Sequence, residues 1–228
     1  MEQVKLLSWN IWGGIFLPEI IRYLKVANAD IVGLQEAEES GDTNTAEILA
    51  KECGYSFVYS RSMEYEWKGR MTNRGNAVLS RFPIVGHKTH LLNGEKPRTA
   101  MQADIRVDNR ILHVVSVHLV HTGDQENQAE RLLNLVPKNN AVIMGDFNAT
   151  PDSKTIERMR ASFRDTDQKD LPSWCLYPDG PEECKPDKVI SKYDYIFVSY
   201  DLRVNGFAVG DTKGSDHLPV SAMFEHGQ

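Results

Sequence analysis

Apolar residues along this chain come in short runs that end abruptly in polar ones, and several runs alternate with helical spacing. Val4, Leu6, Leu7, Trp9 and Ile11 mark a buried strand over Val4 to Ile11. Pro18 stands near a helix start, with Ile20, Ile21 and Leu24 at helical spacing, and Asp30 to Gln35 reads as a second strand. Thr43 to Cys53 predicts a helix that Gly54 stops. Tyr55 to Ser60, Asn76 to Arg81, Met101 to Val107 and Ile111 to Leu119 predict strands; Met101, Ala103, Ile105 and Val107 alternate as a half-buried strand should. Glu126 to Val136 predicts a helix, and Ala141 to Met144 a short strand running into Gly145-Asp146-Phe147-Asn148. Ser153 to Ala161 predicts a further helix. Phe163 to Lys188 holds four of the ten prolines and reads as a long surface loop, ahead of strands at Tyr193 to Ser199, Arg203 to Val209 and Leu218 to Phe224.

Strands in every third of the chain, with a few helices between them, fit two packed mixed β-sheets flanked by helices: an α/β sandwich. At 228 residues, one domain spanning 1–228 is expected. The composition is that of an ordinary globular protein and excludes a disordered or disulfide-dense chain; 26 Lys and Arg against 32 Asp and Glu leave a formal charge of −6. No run approaches the roughly 18 to 20 apolar residues of a membrane span, and no signal layout opens the chain, so a cytoplasmic monomer is expected. Cys53, Cys175 and Cys184 show no metal-finger spacing; a Cys175–Cys184 bridge would close one loop, but reduced thiols are expected.

An apolar strand ending in polar residues places them at a sheet edge, where loops can gather them into a site. Leu6-Leu7-Ser8-Trp9 leads to Asn10, Ile31 to Gln35 leads to Glu36, Val114 to Val117 leads to His118, and Ala141 to Gly145 leads to Asp146 and Asn148. Asp194 and the triplet Ser215-Asp216-His217 complete the set. Oxygen donors of this kind suit Mg²⁺, which keeps several waters and needs one or two carboxylates plus a substrate phosphate. Attack on phosphorus also needs an activated water and donors for the phosphate oxygens, chemistries that Asp146, Asn148, His118 and His217 can supply. Singly, each has an ordinary reading as a turn former, a helix cap or a hydrogen-bonded core histidine.

Together, Ser8-Trp9-Asn10, Leu34-Gln35-Glu36, Gly145-Asp146-Phe147-Asn148, Asp194-Tyr195-Ile196 and Ser215-Asp216-His217, in this order with His118 among them, resemble the endonuclease/exonuclease/phosphatase family from Val4 to Phe224. The resemblance implies a DNase I-like four-layer α/β sandwich and a hydrolase of phosphate esters that uses Mg²⁺ or Mn²⁺. It implies Glu36 as principal metal ligand with Asn10 and Asp216 nearby, and Asp146 as the residue that orients or deprotonates water. It further implies Asn148 as a donor to the transition state, His118 and His217 as phosphate contacts, and Asp194 as the partner of His217. Trp12 stands where abasic-site nucleases of the family often carry a carboxylate, and His118 where many of them carry Tyr, which weakens that particular reading.

Tyr65, Trp67, Lys68, Arg70 and Arg74 mix stacking and cationic side chains in what reads as a substrate-recognition loop, and Arg98 is a further candidate phosphate contact. A nuclease acting on DNA or RNA is therefore expected, with a small-molecule or lipid-headgroup phosphoesterase, or a binding module on the same fold, as alternatives.

Overall fold

The computed structural model describes residues 3–67, 70–121, 123–176 and 189–226. The first half of the chain runs β1 (Val4–Asn10), α1 (Leu17–Ala27), β2 (Ile31–Ser40), β3 (Thr43–Asn44), α2 (Thr45–Cys53), β4 (Ser56–Trp67), β5 (Arg70–Ser80) and β6 (Ile84–Leu92). The second runs β7 (Arg98–Val107), β8 (Arg110–His118), α3 (Gln125–Leu135), β9 (Ala141–Asp146), α4 (Lys154–Ser162), β10 (Arg164–Asp165), β11 (Asp194–Val198), β12 (Leu202–Val209) and β13 (Val220–His226). Two sheets result, ordered β12-β13-β1-β2-β5-β4, with β3 against β2, and β10-β11-β9-β8-β7-β6. Each has one parallel pair inside it, β1 with β2 and β8 with β9.

The period-two alternation of side chains sorts each inner strand between two cores. Val4 and Leu6 of β1 meet Met101, Ile105, Val142, Met144 and Ile196 of the second sheet, while Leu7 and Trp9 turn outward to Ile20, Leu24, Ala46 and Leu49 of α1 and α2. On the far side Val115, Val117, Ile143 and Phe197 pack on Ala129, Leu132, Ile156 and Met159 of α3 and α4. The layers are helices, sheet, sheet, helices, the four-layer sandwich that the motif pattern implied. Local signals fix the helix ends: Pro18 sits in the first turn of α1, the Asn44 side chain accepts from Ala46 N and Glu47 N at the start of α2, and Ser153 caps α4.

Three elements differ from the sequence expectation. β6 pairs along the edge of the second sheet through β7, with mostly exposed residues that break the apolar alternation and hide it from a pattern reading. The segment expected as a recognition loop is instead the far part of a long hairpin, in which Tyr65 pairs with Thr72 and Trp67 with Arg70. The described part of the supposed surface loop after α4, residues 163–176, is built into the interior: Phe163 joins the helix-side core, Arg164 and Asp165 pair with β11, and Asp165, Asp167, Ser173 and Cys175 are buried, while residues 177–188 lie outside the described residues. Cys175 is disulfide-bonded and Cys53 is free. The expectation of reduced thiols is thus corrected at Cys175; Cys184 lies outside the described residues. A disulfide persists in oxidising compartments, so the cysteines do not carry a cytoplasmic assignment. Among the described residues no helix is long and apolar enough to cross a membrane.

Gly145 governs the closest approach between β8 and β9. Its φ is 153° and a Cβ there would lie 1.8 Å from Val117 O, so a side chain would push apart the pairing that sets His118 beside Asp146. Gly145→Ala should lower the free energy of unfolding by at least about 2 kcal/mol. Urea denaturation checks this, and a variant as stable as the parent would show slack in the strand pair.

Candidate active site

On the inner face of β1 the residues run Val4, Leu6, Ser8, Asn10, and on β8 they run Val114, Ser116, His118; apolar contacts give way to polar groups at one end of the sandwich. β9 ends there in Asp146, and β11, antiparallel to it, begins there with Asp194 directly opposite. Glu36 reaches the same place by a different device. A regular β2 would send it outward with Val32 and Leu34, but the pairing with β5 slips between Leu34 and Ala37, and Glu36 takes a left-handed φ of 56°. This bulge re-aims the carboxylate toward the second sheet.

A buried polar layer underlies these ends. Gln35 Nε2 donates to Ser116 Oγ at 3.0 Å, and Ser116 Oγ donates to Leu34 O at 2.9 Å, so β2 and β8 are hydrogen-bonded across the interior. The Ser215-Asp216-His217 segment is tied to β1 in the same way: Ser215 Oγ donates to Asn10 O at 2.7 Å and Trp9 Nε1 to His217 O at 2.9 Å.

The result is a cavity of about 450 Å³ lined by Asn10, Glu36, Arg98, His118, Asp146, Asn148, Asp216 and His217, together with Met63, His121, Trp174 and Tyr193. Asn10 Nδ2 donates to Asp146 Oδ2 at 3.1 Å and reaches Glu36 Oε1 at 3.4 Å. Asn148 N donates to Asp146 Oδ1 at 2.9 Å, and its side-chain amide donates to Leu119 O at 3.0 Å and to His118 Nε2 at 2.9 Å. An imidazole nitrogen that accepts carries no proton, so the His118 proton sits on Nδ1, 3.8 Å from Glu36 Oε1. Behind His217, Asp194 Oδ2 takes the Nδ1 hydrogen at 2.8 Å and the Ser173 hydroxyl at 2.6 Å.

Burial works against the charged form of His217, yet Asp194, Asp146 and Asp216 together outweigh it and carry the imidazole up to about 10. Burial raises Asp146 to about 7, with Asp194 adding to the rise and His217 opposing it. Burial also raises Asp216, helped by the Glu36 carboxylate. His118 falls well below the usual histidine value through burial and through the nearby Arg98 and His217 charges. The site therefore holds a neutral histidine and a charged one within reach of the same Asp146 oxygen, at 3.4 and 3.7 Å.

Among the described residues, no three His, Cys, Asp or Glu side chains form a closed metal cage. The donors suit a hard cation all the same: the Glu36 carboxylate works against the charge on Asp216 across the cavity, with the Asn10 side chain beside Glu36, and carboxylates brought together in this way are the oxygen ligands a divalent ion takes while keeping its waters.

The eight residues expected as catalytic or metal-binding thus converge: seven line the cavity and Asp194 backs His217. Arg98 joins them, buried and lining the cavity. Arg74, expected as a phosphate contact, has its guanidinium paired with Glu36 and close to Glu38. Tyr65, Trp67 and Arg70 lie along the hairpin, and Lys68 falls outside the described residues. Sequence reasoning missed Ser173 and Trp174, hidden in the stretch read as a loop. Trp174 bridges to both Ser191 and His217, and its Nε1 lies 3.4 Å from Asp216 Oδ2. A buried-type Ser-Trp pair in a proline-rich segment was the available signal.

Comparison with solved structures shows the same fold in several proteins. An endonuclease/exonuclease/phosphatase from Beutenbergia cavernae shares 20% identity, with 100% of this chain and 72% of that chain covered at a TM-score of 0.83. The human Nocturnin catalytic domain with bound sulfate anion shares 18%, covering 98% and 93% at 0.73, and truncated Caenorhabditis elegans TDP2 shares 19%, covering 97% of each at 0.68. A sequence comparison with curated proteins returned no significant match. The model of the Endonuclease/Exonuclease/phosphatase family matches residues 7–217, and with the motif residues of that span gathered in one cavity, the chain belongs to this family.

Proposed function

We propose that this protein is a divalent-metal-dependent hydrolase that cleaves phosphodiester bonds by attack of a water held at Asp146, with nucleic acid as its substrate. Family members are phosphoesterase hydrolases, and the observation that carries the phosphodiester-hydrolysis reading is His217 held between Asp194 and Asp146 in the cavity that Glu36 and Asp216 share.

Glu36, Asn10 and Asp216 would hold Mg²⁺ or Mn²⁺. Bound there, the cation supplies positive charge against the phosphate oxygens as the transition state builds. Asp146 is oriented at both oxygens, by Asn10 Nδ2 and Asn148 N, and its carboxyl raised to about 7 suits it to accept a proton from water near neutral pH. His217, aligned through Nδ1 by Asp194, presents its Nε2 hydrogen to a phosphate oxygen. Asn148 spends both amide hydrogens on Leu119 O and His118 Nε2, so it acts on the phosphate through His118, whose protonated Nδ1 it selects. Arg98 adds a fixed cation, its Nε buried without a hydrogen-bond partner among the described residues. Ser173 is a positioning residue: its hydroxyl holds Asp194 Oδ2, the atom that aligns His217.

An activity panel in Mg²⁺ and Mn²⁺ over plasmid DNA, single-stranded DNA, RNA, an aryl phosphodiester, sphingomyelin and an inositol phosphate tests this reading. Degradation of the polymers supports it, whereas turnover confined to the lipid or inositol substrate would move the assignment to a small-substrate phosphoesterase. Exhaustive chelation should abolish turnover, and Glu36→Gln should weaken Mn²⁺ binding measured by calorimetry while the circular dichroism spectrum stays unchanged. Asp146→Asn and His217→Ala should each lower kcat by at least ~100-fold, the loss typical of a general base or a transition-state donor. Near-parental rates in both would sink the assigned roles. Ser173→Val should lower kcat about tenfold with little change in KM, and the isosteric Ser173→Thr should restore it; equal rates for the two would remove the hydroxyl from the mechanism.

A further inference from the structure

A second cavity, of about 580 Å³, adjoins the first and shares Met63, Arg98 and His121 with it. Arg98 therefore stands at the junction of the two. Arg98 as a whole is only 5% exposed, which makes its guanidinium costly to desolvate, and its Nε finds no hydrogen-bond partner among the described residues. Glu36 and Asp146 favour its charge from the catalytic side. On the other side the cavity adds Lys96, which forms no ion pair among the described residues, with Glu64 as an acidic group and Arg74 already committed to Glu36.

The backbone carrying these cations is pinned from several directions. Gln128 Nε2 donates to Lys96 O at 3.1 Å, Thr99 N donates to Ser62 Oγ at 3.0 Å, and Asn76 Nδ2 donates to Thr99 O at 2.6 Å. Lys96 and Arg98 are thus presented from a held segment, and an anion meeting them finds its donors already ordered.

We propose that this adjoining cavity, at Lys96, Arg98 and His121, is a subsite for a second phosphate group of the substrate. The protein then prefers molecules with phosphates on successive linkages over isolated phosphate esters. This rests on the phosphodiester-hydrolase reading for the neighbouring cavity. Successive phosphates occur both in a polynucleotide and in a small bisphosphate, and the two sources share this recognition chemistry.

Calorimetry in Mg²⁺ should find thymidine 3′,5′-bisphosphate bound at least about tenfold more tightly than thymidine 5′-monophosphate, the gain from one charge-assisted contact. Lys96→Ala should reduce that ratio to less than about threefold, and Lys96→Arg should keep it. The substitution spares the fold, since Lys96 holds its neighbours through the backbone carbonyl and its side chain is exposed. Displacement of the bisphosphate by oligothymidylate supports the subsite with a polymer as source, and displacement by inositol 1,4-bisphosphate alone supports it with a small bisphosphate. Equal affinities for the two thymidine phosphates, or a ratio untouched by Lys96→Ala, would overturn the subsite. Failure of the hydrolase reading shows separately, as absence of turnover of thymidine 5′-(p-nitrophenyl phosphate) by a protein that still discriminates the two ligands.

Discussion

The hydrogen bonds by which Gln35, Ser116 and Leu34 join the two sheets underlie the whole site. Apolar packing between sheets is non-directional and tolerates sliding, whereas a fully buried amide and hydroxyl must meet their partners or lose their hydration uncompensated. Asn10 and Glu36 come from one sheet, and His118, Asp146 and Asp194 from the other. A slip of one residue in either would turn those side chains toward the helices, so the polar layer beneath them converts two stacked sheets into one level floor.

On that floor the fold gathers Glu36, Asp146, Asp194 and Asp216 against Arg74, Arg98 and His217, mostly out of water. Buried charge of this density opposes folding unless each group is paired. Within this group two buried atoms have no hydrogen-bond partner among the described residues, Asp194 Oδ1 and Arg98 Nε. Such residual imbalance is characteristic of places where stability gives way to activity. The left-handed Glu36 belongs with them, because a bulge in a central strand persists only where the surrounding pairs hold it.

The segment from Ser173 to Leu176 shows how a stretch without regular structure can be as structural as a strand. Ser173 N and Trp174 N donate to Ser191 O, Leu176 N to Asp216 O, and Leu218 N to Ser173 O. It straps the approach to β11 onto the turn that carries His217. The Ser173 hydroxyl and the Trp174 ring then face the two groups the strap has joined.

The apolar and polar pattern alone determined most of the strands, all four helices and the identity of the polar strand-end residues, because burial of alternating faces is a local demand that each segment meets by itself. Asn10, His118 and Asp146 follow from that rule, since each is the last residue of a largely apolar strand. What tertiary structure decided was everything that depends on two distant segments meeting. Glu36 required a bulge set by pairing with β5, and β6 required an edge to pair with. Arg74 met Glu36, and Ser173 met Asp194, because hydrogen bonds and ion pairs are short-ranged and leave no periodic trace in the residues between their partners.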